Sequence, residues 1–317
     1  MLACSKQILR QFSLQYTMSS RSISKVTVIG AGLMGSGIAQ VSAQSGYQVT
    51  LVDLNEQLLG KAVQSIQTSL ERVAKKQLKD RPEEAKQLVS KTMANLATSQ
   101  SAADAAKSAD LVVEAVVENL ELKRSLYRQL DSTAPAGCLF ASNTSSLGIA
   151  ELAEAVPNRK PTFGGLHFFN PVPVMRLVEV VRTPDITEAA FNQLLEFSRS
   201  LGKSAVPCKD TPGFIVNRLL VPYLTEAVRM LERGDATAED IDTAMRLGAG
   251  HPMGPIELAD YVGLDTTKFI MDGWHAKFPN VELFKPSDML NKLVEEGRLG
   301  RKTGLGFYKW DSKGSKL

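Results

Sequence analysis

The run Gly30-Ala31-Gly32-Leu33-Met34-Gly35 constrains this chain more than any other stretch, because it follows the β-branched segment KVTVI directly and opens a helical one. In that setting each glycine has a task. Gly30 permits a tight turn, Gly32 lets backbone N–H groups approach a pyrophosphate, and Gly35 lets helix pack on strand, while the helix N-terminus supplies partial positive charge. A second strand-like run, QVTLVD, ends in Asp53, eighteen residues past Gly35, where a carboxylate can accept both hydroxyls of an adenosine ribose. The same carboxylate repels a 2′-phosphate, and residues 54–60 (LNEQLLG) bring no Arg or Lys to bind one. The expected cofactor is NAD rather than NADP. A glycine turn beside a helix-capping Asp, with no ligand, is the structural alternative.

From Lys25 short apolar runs alternate with helical ones. Strands are expected at NLATS, DLVVEAV, CLFASN, TFGGLHFF and MRLVEVV, and helices at SAADAAKSA, NLELKRSLYRQLD and TEAAFNQLLEFSRSLG. This pattern predicts an α/β fold, a Rossmann-like doubly wound sheet covered on both faces. The helical stretch that starts near Asn55 and resumes after Pro82 is too long and polar for a simple crossover, and is expected as a projecting helical arm. After Lys209 strand signals stop. Residues 23–209 are therefore expected as the NAD-binding domain and 210–317 as an all-α domain, whose apolar surplus suits dimerisation with a second copy.

Residues 1–22 stand apart. Lys6, Arg10, Arg21 and Lys25 all precede the first acid, Asp53, and without those four the chain's 37 basic residues fall to 33 against 34 acidic ones. A basic, serine-rich, acid-free amphipathic start reads as a mitochondrial targeting segment, a disordered tail being the alternative. Ser315-Lys316-Leu317 at the other end reads as a peroxisomal address, and Met18 offers a second start that would drop the first signal. Cys4, Cys138 and Cys208 are scattered, as in a reducing compartment. No run is long and apolar enough for a membrane span, and the basic-aromatic clusters that hold nucleic acid are missing.

One of the three histidines lies in GLHFF, and a lone glutamate lies in the following run MRLVEVV. The intervening NPVPV forces a turn, since proline is confined to sheet edges and turns. A hairpin centred on Pro173 sets His167 opposite Glu179 with both side chains on one face. An imidazole whose Nδ1–H is held by a carboxylate is fixed in one tautomer, leaving Nε2 free to take a proton. Beside a hydride acceptor such a pair makes an alcohol dehydrogenase; without one it is a satisfied core pair. His251 and His275 lie far off, and no Cys/His spacing supports a metal site. Glu118, Asn143 and Ser145, at the ends of later strands, are candidates to line the nicotinamide half, the alternative being that Glu118 and Ser142 cap the following helices.

With these residues in view the chain resembles the short-chain L-3-hydroxyacyl-CoA dehydrogenase family of fatty-acid β-oxidation. The likeness runs from Lys25 to about Tyr308 through VIGAGLMGSGIAQ, VVEAVVENLELK, FASNTSSL, GLHFFNPVPVMRLVEVV, CKDTPGFIVNRLLVPYLTEA, GAGHPMGPIELADYVGLDT and GRKTGLGFYKW. It implies His167 as general base, Glu179 as its partner, and Ser145 and Asn217 as polar groups on the substrate. It further implies Asp53, Glu118, Lys123, Asn143 and Lys302 as NAD contacts, Ser69 and Lys76 on the arm as CoA contacts, and a helical dimerisation domain. One extra residue near AVPNRKPTF departs from the family pattern. An NAD enzyme of a related hydroxy acid or sugar acid, and a non-catalytic NADH-binding regulator, stay open as alternatives.

Overall fold

The structure, a computed structural model, describes residues 23–317. The expected targeting segment lies outside the described residues. The chain divides into two compact units, the first ending at Asp210 and the second spanning Thr211–Leu317.

The first unit runs β1 (Lys25–Ile29), α1 (Leu33–Gln44), β2 (Gln48–Val52), α2 (Glu56–Gln77), α3 (Pro82–Ala94), β3 (Leu96–Ser99), α4 (Ala102–Ala106), β4 (Leu111–Glu114), α5 (Leu120–Asp131), β5 (Leu139–Ser142), α6 (Ile149–Ala153), β6 (Phe163–Phe168), β7 (Leu177–Arg182), α7 (Glu188–Ser200) and β8 (Ser204–Lys209). Its eight described strands form one sheet in the order β3-β2-β1-β4-β5-β6-β7-β8. Strands β1 to β6 are parallel, β7 turns back antiparallel to β6, and β8 runs parallel to β7. Central strands are mostly apolar because helices cover both faces: Val26, Val28, Leu111, Val113, Phe140 and Ala141 are all buried. Between β1 and β4 the strand order reverses, which opens a crevice at their carboxyl ends.

Two elements escape the sequence pattern. Edge strand β8 carries Pro207 and is half exposed, so it lacks an apolar signature; an edge tolerates the missing donor. Helix α6 has only five residues, and its first N–H groups are met from far along the chain, Ile149 and Ala150 donating to the Asp210 carboxylate at 3.0 and 2.7 Å.

Helix α2, the expected arm, has 22 residues and so spans about 33 Å. Asn55 caps it by accepting from Gln57 and Leu58 N–H. Its near turns bury Leu59, Ala62, Ile66 and Leu70 in the sheet core. The two described thiols of this unit are quiet: Cys138 is buried, and burial pushes Cys208 up to about 12, keeping it protonated at neutral pH. Peptide mapping after alkylation at pH 8 is therefore expected to find both unmodified in the folded protein and both modified after denaturation.

The second unit is helical: α8 (Val216–Glu232), α9 (Ala238–Gly248), α10 (Pro255–Val262), α11 (Leu264–Lys277) and α12 (Asp288–Glu295). Two buried carboxylates tie its last segment down. Asp260 accepts from the backbone N–H of Phe307 and Tyr308 and from the Trp310 indole, each at 2.9 Å, and Asp242 accepts from the Tyr308 hydroxyl at 2.8 Å. Among the described residues no helix is long and apolar enough to cross a membrane.

Candidate active site

The glycine loop joins β1 to α1. Gly30 has φ +103°, and a Cβ there would sit 2.5 Å from the Ala115 carbonyl oxygen; a Cβ on Gly35 would run into the Gly30 carbonyl. Both positions therefore demand glycine. At Gly32 a Cβ would meet no protein atom within 4 Å, so this side of the loop faces open space. Gly32 is the N-cap of α1, no side chain caps that helix, and its first turn holds no acid. Free N–H groups, a positive helix end and room for backbone approach form a cradle for a pyrophosphate. Asp53 lies against the same loop, one carboxylate oxygen accepting from Ala31 N–H at 2.9 Å and the other from Asn55 N–H at 3.2 Å. These residues fit NAD.

Ribose hydroxyls held by a carboxylate contribute about 1.5–3 kcal/mol, so Asp53→Ala is expected to weaken NADH binding roughly ten- to a hundredfold and to bring NADPH closer to it. Fluorescence titration with both nucleotides measures this. An unchanged NADH-to-NADPH preference would remove Asp53 from the site.

On the antiparallel pair β6–β7 the register sets His167 against Glu179, as the hairpin argument expects. Both are buried, and His167 Nδ1 stands 2.7 Å from Glu179 Oε2. The other ring nitrogen, Nε2, lies 3.2 Å from Ser145 Oγ, and the Phe169 ring packs at 4.6 Å between centroids. Asn143 Oδ1 accepts from Phe168 N–H at 2.9 Å, tying the end of β5 to the strand that carries the histidine. The hairpin tip is pinned as well. Lys203 donates to the Val172 and Met175 carbonyls at 2.5 and 2.8 Å, and Val172 packs where a Cβ on Gly37 of α1 would stand, 2.7 Å from its own Cβ.

Glu118 is not a helix cap. Asn119 caps α5, accepting from Leu122 N–H at 2.9 Å, while Glu118 accepts from Ser145 N–H at 2.7 Å and from the Thr144 hydroxyl at 2.9 Å. Ser142 gives its hydroxyl to Glu114 at 2.7 Å rather than capping α6. Lys123 is 1% exposed, its ammonium lying 2.8 Å from Glu114 and 3.0 Å from Glu118. Glu114, at the end of β4, went unnoticed in the sequence because a glutamate closing an apolar strand looks like a surface terminus. The signal was Lys123, on the buried stripe of an amphipathic helix, where an ammonium needs a partner.

The remaining residues are carried by other elements. Ser69 is half buried on α2 and lines a groove with Lys61, Ser65, Thr68 and Arg72, while Lys76 is exposed outside that groove. Neither Lys61 nor Arg72 stood out in the sequence, charged helix faces being common. In the second unit Asn217 is half buried in the first turn of α8, and Lys302 pairs with Asp265 at 2.6 Å.

A histidine held by a buried carboxylate, on a sheet whose first turn has room for a dinucleotide, fits a dehydrogenase of the Rossmann-like, NAD-binding class. Residues 25–211 match the NAD-binding domain of 3-hydroxyacyl-CoA dehydrogenase and residues 213–310 match its C-terminal domain, so the chain belongs to the 3-hydroxyacyl-CoA dehydrogenase family. It is 58% identical over 288 residues to hydroxyacyl-coenzyme A dehydrogenase, mitochondrial, of Rattus norvegicus, covering 91% of each chain. It is 55% identical over 309 residues to the protein of that name in Homo sapiens, covering 96% of this chain and 98% of that one. The solved structure of (S)-3-hydroxybutyryl-CoA dehydrogenase from Ralstonia eutropha superposes with a TM-score of 0.86 at 38% identity, covering 92% of this chain and all of that one.

Proposed function

We propose that this protein oxidises L-3-hydroxyacyl-CoA to 3-ketoacyl-CoA, with His167 as the general base. The observation that carries the reading is the buried 2.7 Å His167–Glu179 contact with Nε2 turned toward Ser145. His167 Nε2 takes the proton of the substrate hydroxyl as the carbon–hydrogen bond breaks. The glycine turn and Asp53 would hold NAD, which when bound would supply the hydride acceptor. Glu179 fixes the tautomer and stabilises the imidazolium as it forms, and the Ser145 hydroxyl steadies the substrate oxygen. Asn217 is assigned a polar contact with the substrate on the strength of the family likeness.

The CoA nucleotide is assigned to α2, where Lys61 and Arg72 flank the hydroxyls of Thr68 and Ser69. The protein acts as a homodimer in this reading, which the exposed Leu219, Leu247, Tyr261 and Phe269 of the second unit support, and light scattering in solution tests it. Its expected place is the mitochondrial matrix, like the relatives named mitochondrial. Cell fractionation separates this from the peroxisome; Leu317 N–H is bonded to the Lys309 carbonyl and the Lys316 ammonium lies 3.4 Å from the Tyr308 ring centre, so a receptor would have to peel the tripeptide away.

The deciding assay follows NADH at 340 nm with acetoacetyl-CoA. Oxidation of NADH that saturates with the thioester is expected. Turnover of free hydroxy acids or sugar acids without saturation by CoA thioesters would point to a related dehydrogenase, and NADH binding with no turnover of any of them to a regulator.

A further inference from the structure

The catalytic pair does not stand alone. From His167 Nε2 the contacts run to Ser145 Oγ, from the Ser145 backbone N–H to Glu118, from Glu118 to the Lys123 ammonium, and from there to Glu114. Glu114 is 0% exposed and fully engaged: one oxygen accepts from Lys123 and Val116 N–H, each at 2.8 Å, and the other from the Ser142 hydroxyl at 2.7 Å and the Tyr127 hydroxyl at 3.4 Å. Burial holds the Tyr127 phenol far above its ordinary range, so it stays a donor.

Burying a carboxylate against an ammonium is a poor way to stabilise a fold, since well-packed apolar residues often do as well or better. The pair sits where it has another use. Glu118, 31% exposed on the loop after β4, would be free to turn into solvent without the ammonium behind it. Its carboxylate receives both the Ser145 N–H and the Thr144 hydroxyl, so its placement sets the backbone from which Ser145 reaches the imidazole.

We propose that Glu114 is a positioning residue of the reaction, anchoring through Lys123 the Glu118 carboxylate that aligns Ser145 with His167; this rests on the reading of His167 as the base.

The test is a cycle of Glu114→Gln, Ser145→Ala and both together, assayed with NADH and acetoacetyl-CoA. Misplacing a positioning group costs on the order of tenfold or more, so Glu114→Gln should lower kcat about tenfold in the native background and not further once Ser145 is Ala. The ¹⁵N shift of His167 Nε2, read without turnover, should move in Glu114→Gln toward its value in Ser145→Ala. If Glu114→Gln does not fold, Glu114→Gln with Lys123→Met removes both buried charges and must give the same pattern. An equal loss of kcat in both backgrounds, or an unmoved nitrogen shift, overturns the proposal. A native protein inactive on the thioester would defeat the assignment of function, and the nitrogen shift would still decide this one.

Discussion

Replacing His167 by Gln is expected to lower turnover of acetoacetyl-CoA by about 10²- to 10⁴-fold, the usual contribution of a general base, while NADH binds as before. The separation of the two effects follows from the geometry. His167 sits on β6, where its Nδ1–H donates to Glu179 and its Nε2 meets the Ser145 hydroxyl, whereas the proposed cofactor cradle is formed by the β1–α1 turn and Asp53. Glutamine can still donate to Glu179, so the buried carboxylate keeps a partner and the strand pair should hold. The check pairs steady-state kinetics with fluorescence titration of NADH. Near-native kcat would remove His167 from the chemistry; joint loss of turnover and NADH binding would mean that the substitution damaged the fold instead.

Glu179→Gln should give the second-largest loss. A hydrogen bond to a charged group contributes about 1.5–3 kcal/mol, and here its full strength is felt only as the imidazole becomes positive in the transition state. With each 1.36 kcal/mol worth a factor of ten, kcat should fall roughly 10- to 150-fold. KM for the thioester should change little, because Glu179 is buried behind the imidazole. Thermal stability should not fall in step, since the substitution exchanges a buried ion for a neutral isostere and leaves the packing in place. A drop in KM equal to the drop in kcat would instead mark Glu179 as a source of ground-state strain.

What the sequence revealed and what it hid divide along physical lines. The glycine cradle was legible because three glycines at fixed spacing after a β-branched run have few uses, and Asp53 because it ends the next strand. The His167–Glu179 pairing was legible because proline marks the turn and strand registers count in whole residues. Strand β8 was not, since an edge strand with a proline and half-exposed faces carries no period. The Glu114–Lys123 pair was hidden for a different reason: nine residues separate its members, and only the packing of α5 against the end of β4 brings an ammonium to that carboxylate. Asn217 has no local signal at all, being one amide in an amphipathic helix, and only likeness to a family brought it forward.

The antiparallel return of β7 has a consequence for how this chain tolerates changes in length. Side chains alternate across a sheet, so a one-residue slip between β6 and β7 would bring Val178 or Val180 opposite the imidazole and carry the glutamate to the far face. An insertion in the surface turn near Pro157 merely lengthens a connection. The six residues between Phe169 and Arg176 behave differently: their number works as a gauge, and an odd change there that the loop failed to absorb would part His167 from Glu179 with every contact residue still present in the chain.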